Sequence, residues 1–115
     1  MNLPQIIKSL DLRLLTQSQH LEQVFPTSGY ASDLLSCVLA GAGHGSLWVT
    51  LQAHLNIVAV AALLELKAVI ITEGALPDET TLAKANAEGV ILLSTDKKTF
   101  EVVGQLWDLG LRSAA

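Results

Sequence analysis

The pattern of apolar and polar residues becomes regular at about residue 47. From there, three short apolar runs typical of buried strands alternate with three longer segments that have helical spacing. The predicted strands cover 47–51, 68–72 and 90–94, and the helices that follow them cover 55–66, 77–88 and 97–109. Three successive strand–helix units predict parallel strands joined by right-handed crossovers, with helices on the faces of the sheet.

The first third of the chain has a less regular pattern. Pro4 favours the start of a short helix that continues to about Leu10, because proline fits the first helical turn. A short strand is predicted at 12–15. The segment 24–30 reads as an irregular or edge strand, because Pro26 cannot donate to a sheet.

A further helix is predicted after Ser32, which is placed as its N-cap, with Asp33 in the first turn. The glycines of 41–45 end this helix and form a turn. At the other end of the chain, residues 112–115 follow a helix-ending glycine and are expected to fray.

Length and composition indicate one domain over residues 1–115, of which half are apolar and 16% are charged. This low charged fraction predicts apolar surface in excess of what a monomer exposes, so a homodimer is expected. The alternative is a core rich in alanine, leucine and valine under an ordinary surface.

The net charge of −4 and the scattered basic residues argue against nucleic-acid binding. Cys37 is the single cysteine of the sequence, which fits a reducing compartment. A secretion signal is not expected, because a basic segment followed by a continuous apolar run is missing. The longest apolar stretch, 55–71, contains Glu65 and Lys67, so a membrane span is not expected either. These features predict a cytoplasmic protein.

Polar residues follow each of the three regular strands. In an open parallel sheet, ligands bind outside the carboxyl ends of the strands, and helix N-termini there favour anions. The candidate ligand-binding residues are Thr50, Gln52, His54, Asn56, Thr72, Gly74, Ser94, Thr95 and Thr99. A nucleotide or another small anion is the expected ligand, with His54 adding affinity when it is protonated.

A second interpretation of these residues stays open, because Ser, Thr, Asn and Asp are also the ordinary helix caps. Ser94 and Thr95 fit this capping interpretation best. The polar residues of 50–56 exceed what one cap needs, and they share one side if the segment is extended, so a ligand or a partner chain is predicted there. Glu73 and Asp96 would repel a phosphate, and we expect them to cap helices or to face solvent.

Catalytic signatures are weak. A Gly-x-Ser-x-Gly elbow is missing, and the glycine-rich segment 41–46 precedes a strand, whereas phosphate loops follow one. His20 and His44 have no ligand spacing to His54, so no metal is expected. The sequence therefore predicts a binding module with no catalytic residue and no cofactor. The alternatives are a pure dimerisation or interaction domain, and a small phosphoryl- or acyl-transfer enzyme with His54 as its base.

A family resemblance extends from Tyr30 to Leu111. It is carried by the segments 33–36, 38–41, 50–61, 70–74, 92–95 and 99–101 and by Pro77. These segments resemble the DRTGG domain family, which occurs beside CBS domains in pyrophosphatases and phosphotransacetylases and is similar to the N-terminal domain of HPr kinase.

The resemblance implies a three-layer α/β/α sandwich with a small, mainly parallel sheet. It also implies a free-standing regulatory domain that acts on a kinase or a metabolic enzyme, without catalytic residues. The chain departs from the name-giving pattern at 52–54, where many members have an acidic–basic pair, and at 72–74, which replaces Thr-Gly-Gly. The ligand of multidomain members is therefore not carried over.

Overall fold

The computed structural model describes residues 1–114. Over this part of the chain, five strands form one sheet, surrounded by five α-helices and a 3-10 helix at Leu21–Gln23. The strands are β1 (Arg13–Leu14), β2 (Ser28–Ala31), β3 (Ser46–Thr50), β4 (Ala68–Ile71) and β5 (Leu92–Ser94). The helices are α1 (Leu3–Leu10), α2 (Leu35–Gly41), α3 (Asn56–Leu64), α4 (Glu79–Glu88) and α5 (Thr99–Asp108).

The strands lie in the order β1-β5-β4-β3-β2. Strands β2 to β5 are parallel, and β1 pairs antiparallel with β5 at one edge, where Arg13 lies opposite Ser94. The prediction of a small, mainly parallel sheet is confirmed. The segment after Pro26 forms an edge strand, as the sequence indicates.

Two apolar clusters fill the space between the sheet and its helices. Alternate strand residues such as Leu47 and Ile70 pack under α1 and α5 on one face. Their neighbours Trp48 and Val69 pack under α2, α3 and α4 on the other face. Because successive strand side chains point to opposite faces, continuous apolar strands require cover on both sides. The three-layer α/β/α sandwich is confirmed.

Polar caps fix several helix ends. Helix α1 begins with a capping box, in which the Asn2 side chain accepts from the Gln5 N–H and the Gln5 side chain accepts from the Asn2 N–H. Helix α4 begins at Glu79, and Asp78 is its N-cap. The start predicted for this helix, at residue 77, is therefore two residues too early.

The prediction that Ser32 caps α2, with Asp33 in its first turn, is wrong. Helix α2 begins at Leu35, two residues later than predicted. The Ser32 hydroxyl accepts from the Leu34 N–H at 3.1 Å in the turn before the helix. The Asp33 carboxylate accepts from the Thr50 hydroxyl and the Leu51 N–H, both at 2.8 Å. Asp33 therefore binds the end of β3 instead of the helix.

The expected fraying of residues 112–115 is wrong at Arg112. Its carbonyl accepts from the Gly29 N–H at 2.9 Å, and its guanidinium lies 3.9 Å above the Trp107 ring. Ala115 lies outside the described residues. Among the helices of the described chain, none has the length and apolar character needed to cross a membrane.

Candidate functional site

The carboxyl edge of the parallel sheet contains an open cleft of about 860 Å³. The cleft lies between the β3–α3 connection and the β4–α4 connection, and we call it the edge cleft. Its polar lining residues are Gln52, His54, Asn56, Asp78, Thr80 and Thr81, and its apolar lining residues are Leu51, Ala53, Leu55, Ala75 and Leu76. Amide, imidazole and carboxylate groups thus face the same space as five leucine and alanine side chains.

The β3–α3 side of the edge cleft is held by Asp33. The Asp33 carboxylate bonds to Thr50 and Leu51. The backbone carbonyl of Asp33 also accepts a hydrogen bond from the Gln52 side-chain amide, at 3.2 Å. The Gln52 N–H in turn donates to the Thr50 hydroxyl at 3.1 Å. Because Thr50 is buried and already bonded on both sides, it positions the connection, while Gln52 forms part of the cleft wall.

Helix α3 starts at the edge cleft without a side-chain cap. The first N–H groups of a helix have no acceptor within the helix. In α3 these first residues are Leu55, the N-cap, and Asn56, and both line the edge cleft. His54 lies in the same segment and is exposed. This wall therefore offers neutral or positive groups to an incoming anion.

The opposite wall carries a negative charge. The Asp78 carboxylate accepts from the Thr81 N–H at 2.8 Å, and this bond, with smaller contributions that include the nearby His54, lowers the pKa of Asp78. Asp78 is thus ionised near neutral pH and occupies the N-terminus of α4. A bound anion would be directed towards the α3 wall.

The Thr72 and Thr99 hydroxyls share a hydrogen bond of 2.6 Å. The Thr72 hydroxyl also donates to the Thr50 carbonyl at 3.3 Å. The Glu73 carboxylate accepts from the Thr99 N–H at 3.1 Å and lies 3.8 Å from the Lys98 ammonium. The N-terminus of α5 therefore already holds an internal anion. The expectation that Glu73 caps a helix is confirmed.

The remaining candidate residues lie within the hydrogen-bonded edge of the sheet. Ser94 accepts from the Arg13 guanidinium at 3.2 Å, and the Thr95 hydroxyl accepts from the Lys97 N–H at 3.2 Å. The Gly74 N–H donates to the Thr95 carbonyl at 3.1 Å. These groups brace the connections after β4 and β5.

The nine candidate residues thus fall into two groups. Gln52, His54 and Asn56 line the edge cleft. The hydrogen-bonded group comprises Thr50, Thr72, Gly74, Ser94, Thr95 and Thr99. Sequence reasoning missed Asp78 and Thr81, because the predicted helix 77–88 included Asp78 in its first turn, although aspartate is an ordinary N-cap residue.

Asp96 has a side chain that is 80% exposed and forms an ion pair with Arg13 at 3.2 Å, as expected for a residue that faces solvent. Within residues 1–114, no group of three or more His, Cys, Asp or Glu side chains is arranged to hold a metal ion.

These features define a small α/β sandwich with a ligand-sized cleft at the carboxyl edge of its sheet. No family model matches the sequence, and no curated protein is significantly similar to it. A solved structure has the same fold: the CBS and DRTGG domains of the regulatory region of Clostridium perfringens pyrophosphatase, complexed with the activator diadenosine tetraphosphate. The TM-score is 0.75 at 16% sequence identity, over 91% of this chain and 45% of the other. The chain therefore has a DRTGG-like fold and spans less than half of that regulatory region.

Proposed function

We propose that the protein is a non-catalytic regulatory module that binds a nucleotide or another small anion in the edge cleft and acts as a homodimer. The observation that carries this proposal is the cleft itself, which combines His54, Gln52, Asn56 and an uncapped helix N-terminus at the carboxyl edge of the sheet. The solved structure with the same fold contains a nucleotide activator, which supports this choice of ligand class. We place the action of the module in the cytoplasm, on a kinase or a metabolic enzyme.

The two kinds of lining suit the two parts of a nucleotide. Leu55 and Leu76 supply apolar surface for a base, and the Gln52 and Asn56 amides can pair with its edge. The α3 wall suits the phosphate, since Asp78 repels it from the opposite wall.

Protonation of His54 should strengthen this binding. A positively charged imidazole attracts phosphate. We therefore expect the affinity for nucleotides to be higher at pH 5.5 than at pH 8.

A thermal-shift screen with adenine nucleotides, uridine nucleotides and inorganic phosphate at these two pH values tests the proposal. A ligand that binds the folded state raises the melting temperature. The combined His54→Ala and Asn56→Ala substitutions should abolish the rise. His44→Ala is the matched control, because His44 is exposed at the other end of β3 and pairs with Glu65 at 3.2 Å. The absence of any shift, or a shift that the double variant retains, would contradict the proposal.

A second candidate follows from His54 and Asp78, which face the same cleft as a base and a carboxylate. In that case the protein would be a small phosphoryl- or acyl-transfer enzyme. Assays with phosphoesters and acyl phosphates should show no turnover if our proposal is correct. Turnover that His54→Ala abolishes would establish the enzyme instead.

A further inference from the structure

Helix α5 carries a stripe of exposed apolar side chains that its packing against the sheet does not use. Phe100 is 92% exposed, Trp107 54% and Val103 37%. Residues three and four positions apart share one side of a helix, so these three side chains form one line, which we call the α5 stripe. Val102 and Leu106, on another side of the helix, are buried in the core.

An apolar groove of about 280 Å³ borders the α5 stripe. Trp107 and Val103 form one wall, and Gly29 and Ala31 of the edge strand β2 form the floor. The groove exists because these two β2 residues are small and because α1 and α5 cover this face of the sheet without reaching fully over β2. The surface thus has a protruding aromatic side chain and an apolar recess two helical turns apart.

We infer that the α5 stripe and its groove are the surface through which two copies of this chain pair. This inference rests on the homodimer of the proposed function and names its interface. In a two-fold dimer the same patch of both copies meets. A protrusion on each copy can therefore fill the recess of the other. When two α5 helices lie antiparallel about the midpoint of the stripe, Phe100 of each copy meets Trp107 and the groove of the other.

The middle of the α5 stripe allows this close approach. Gly104 lies beside the midpoint, and a Cβ placed there would have no heavy atom within 4 Å apart from its chain neighbours and the backbone of its own helix. A glycine in a helix interior lowers stability by about 1 kcal/mol relative to alanine. Its presence in α5 therefore suits a helix that a second helix approaches closely.

The charges at the two ends of the α5 stripe also fit a second copy. Lys98, which precedes the first turn of α5, lies 3.8 Å from Glu73 of its own chain, but its side chain is 77% exposed. Asp108 ends the helix. Antiparallel pairing brings Lys98 of one copy towards Asp108 of the other, with the two helix dipoles opposed. A parallel arrangement would instead place like charges together.

Sedimentation equilibrium over a micromolar concentration series tests this interface. Phe100→Ser should raise the dimer dissociation constant by at least about tenfold, because an aromatic side chain that fills a groove of the partner carries much of the binding energy of an interface. Leu63→Ser is the matched control, since Leu63 is 72% exposed on α3, on the other face of the sheet. It should leave the constant unchanged.

A disulfide cross-link tests the geometry directly. In a Cys37→Ser background, Gly104→Cys should give a covalent dimer under mild oxidation, because the two introduced thiols lie near the two-fold axis. Ala59→Cys, at an exposed position of α3, should not cross-link. A wild-type protein that stays monomeric, a dimer that Phe100→Ser leaves intact, or cross-linking at position 59 instead of 104 would overturn the inference. The nucleotide-induced thermal shift of Phe100→Ser is measured in parallel, so that failure of the interface is distinguished from failure of the edge cleft.

Discussion

Asp33 connects the start of α2 to the end of β3. Its carboxylate accepts two hydrogen bonds of 2.8 Å, from the Thr50 hydroxyl and the Leu51 N–H. Aspartate in the first turn of a helix is favoured by the helix dipole, and this local rule led to the wrong assignment. The actual partners lie 17 and 18 residues away along the chain, so a local sequence pattern does not reveal them.

The substitution Asp33→Ala should therefore destabilise the protein by about 1 kcal/mol, the usual net value of hydrogen bonds at a partly exposed site. It should also weaken nucleotide binding, because Asp33 positions the connection that carries Gln52. Urea unfolding measures the first effect and the thermal shift measures the second. Asp96→Ala is the control, because the exposed pair of Asp96 with Arg13 should contribute less and does not contact the edge cleft. Equal losses of stability and of nucleotide binding in the two variants would contradict the role of the Asp33 hydrogen bonds.

Glu73 is a second residue whose role depends on distant partners. It has a φ of 63°, in the left-handed region that is unfavourable for a side chain, and its carboxylate bonds to the Thr99 N–H, 26 residues away. The sequence predicts that Glu73 caps a helix or faces solvent, because its charge would repel a bound phosphate. It does not predict that the cap belongs to α5, because this depends on how β4 and β5 lie side by side.

At the scale of elements, the hydrophobic pattern located the strands and helices to within a few residues. The regular strands are buried on both faces, which gives continuous apolar runs that are easy to recognise. Helix ends were less predictable. Helix α3 was expected to continue to residue 66 but ends at Leu64, because Glu65 adopts the left-handed conformation that usually marks a glycine.

The start of α4 gives a prediction about pH. The Thr81 N–H bond holds the pKa of Asp78 below its ordinary value in the folded protein. The unfolded chain therefore binds the proton more readily, so this group stabilises the folded state above the unfolded pKa of about 3.9 and loses that effect as the pH falls through the lowered folded pKa.

Asp78→Asn should remove this acid-range dependence while it keeps stability near pH 7, because asparagine caps helices as well as aspartate does. Asp78→Ala should lower stability at pH 7, since it removes the cap. Urea unfolding of the three proteins between pH 2 and pH 7 measures the differences. A steeper loss of stability in acid for Asp78→Asn than for the wild type would contradict the assignment.

At the scale of the whole molecule, the sequence predicted the parallel strand–helix units but not how the third unit differs from the other two. Helices α3 and α4 lie on one face of the sheet, whereas α5 lies on the other. The connections that lead to α3 and α4 therefore enclose the edge cleft, and the connection after β5 turns away from it. Ser94, Thr95 and Thr99 consequently brace the edge, although the pattern alone grouped them with His54.

The short strand predicted at 12–15 is present as β1, but the pattern did not reveal its antiparallel pairing with β5. Strand β1 contains only Arg13 and Leu14, and both are exposed. A two-residue strand has no periodicity to recognise, and its position beside β5 depends on contacts with residues about 80 positions later in the chain.

The edge cleft and the α5 stripe lie on opposite faces of the sheet, so their effects on stability should be separable. If the protein dimerises through α5, its melting temperature should rise with protein concentration, because association favours the folded chain by mass action. A nucleotide present at 100 times its dissociation constant should add about 2.7 kcal/mol in the same way.

Phe100→Ser should remove the dependence on protein concentration and keep the nucleotide effect. The combined His54→Ala and Asn56→Ala substitutions should do the reverse. Differential scanning calorimetry at two protein concentrations, with and without nucleotide, measures both effects in one set of samples. Since neither substitution changes a residue that lines the other surface, a loss of both effects in the folded Phe100→Ser protein would mean that ligand binding requires the dimer, and the two surfaces would then form one coupled unit.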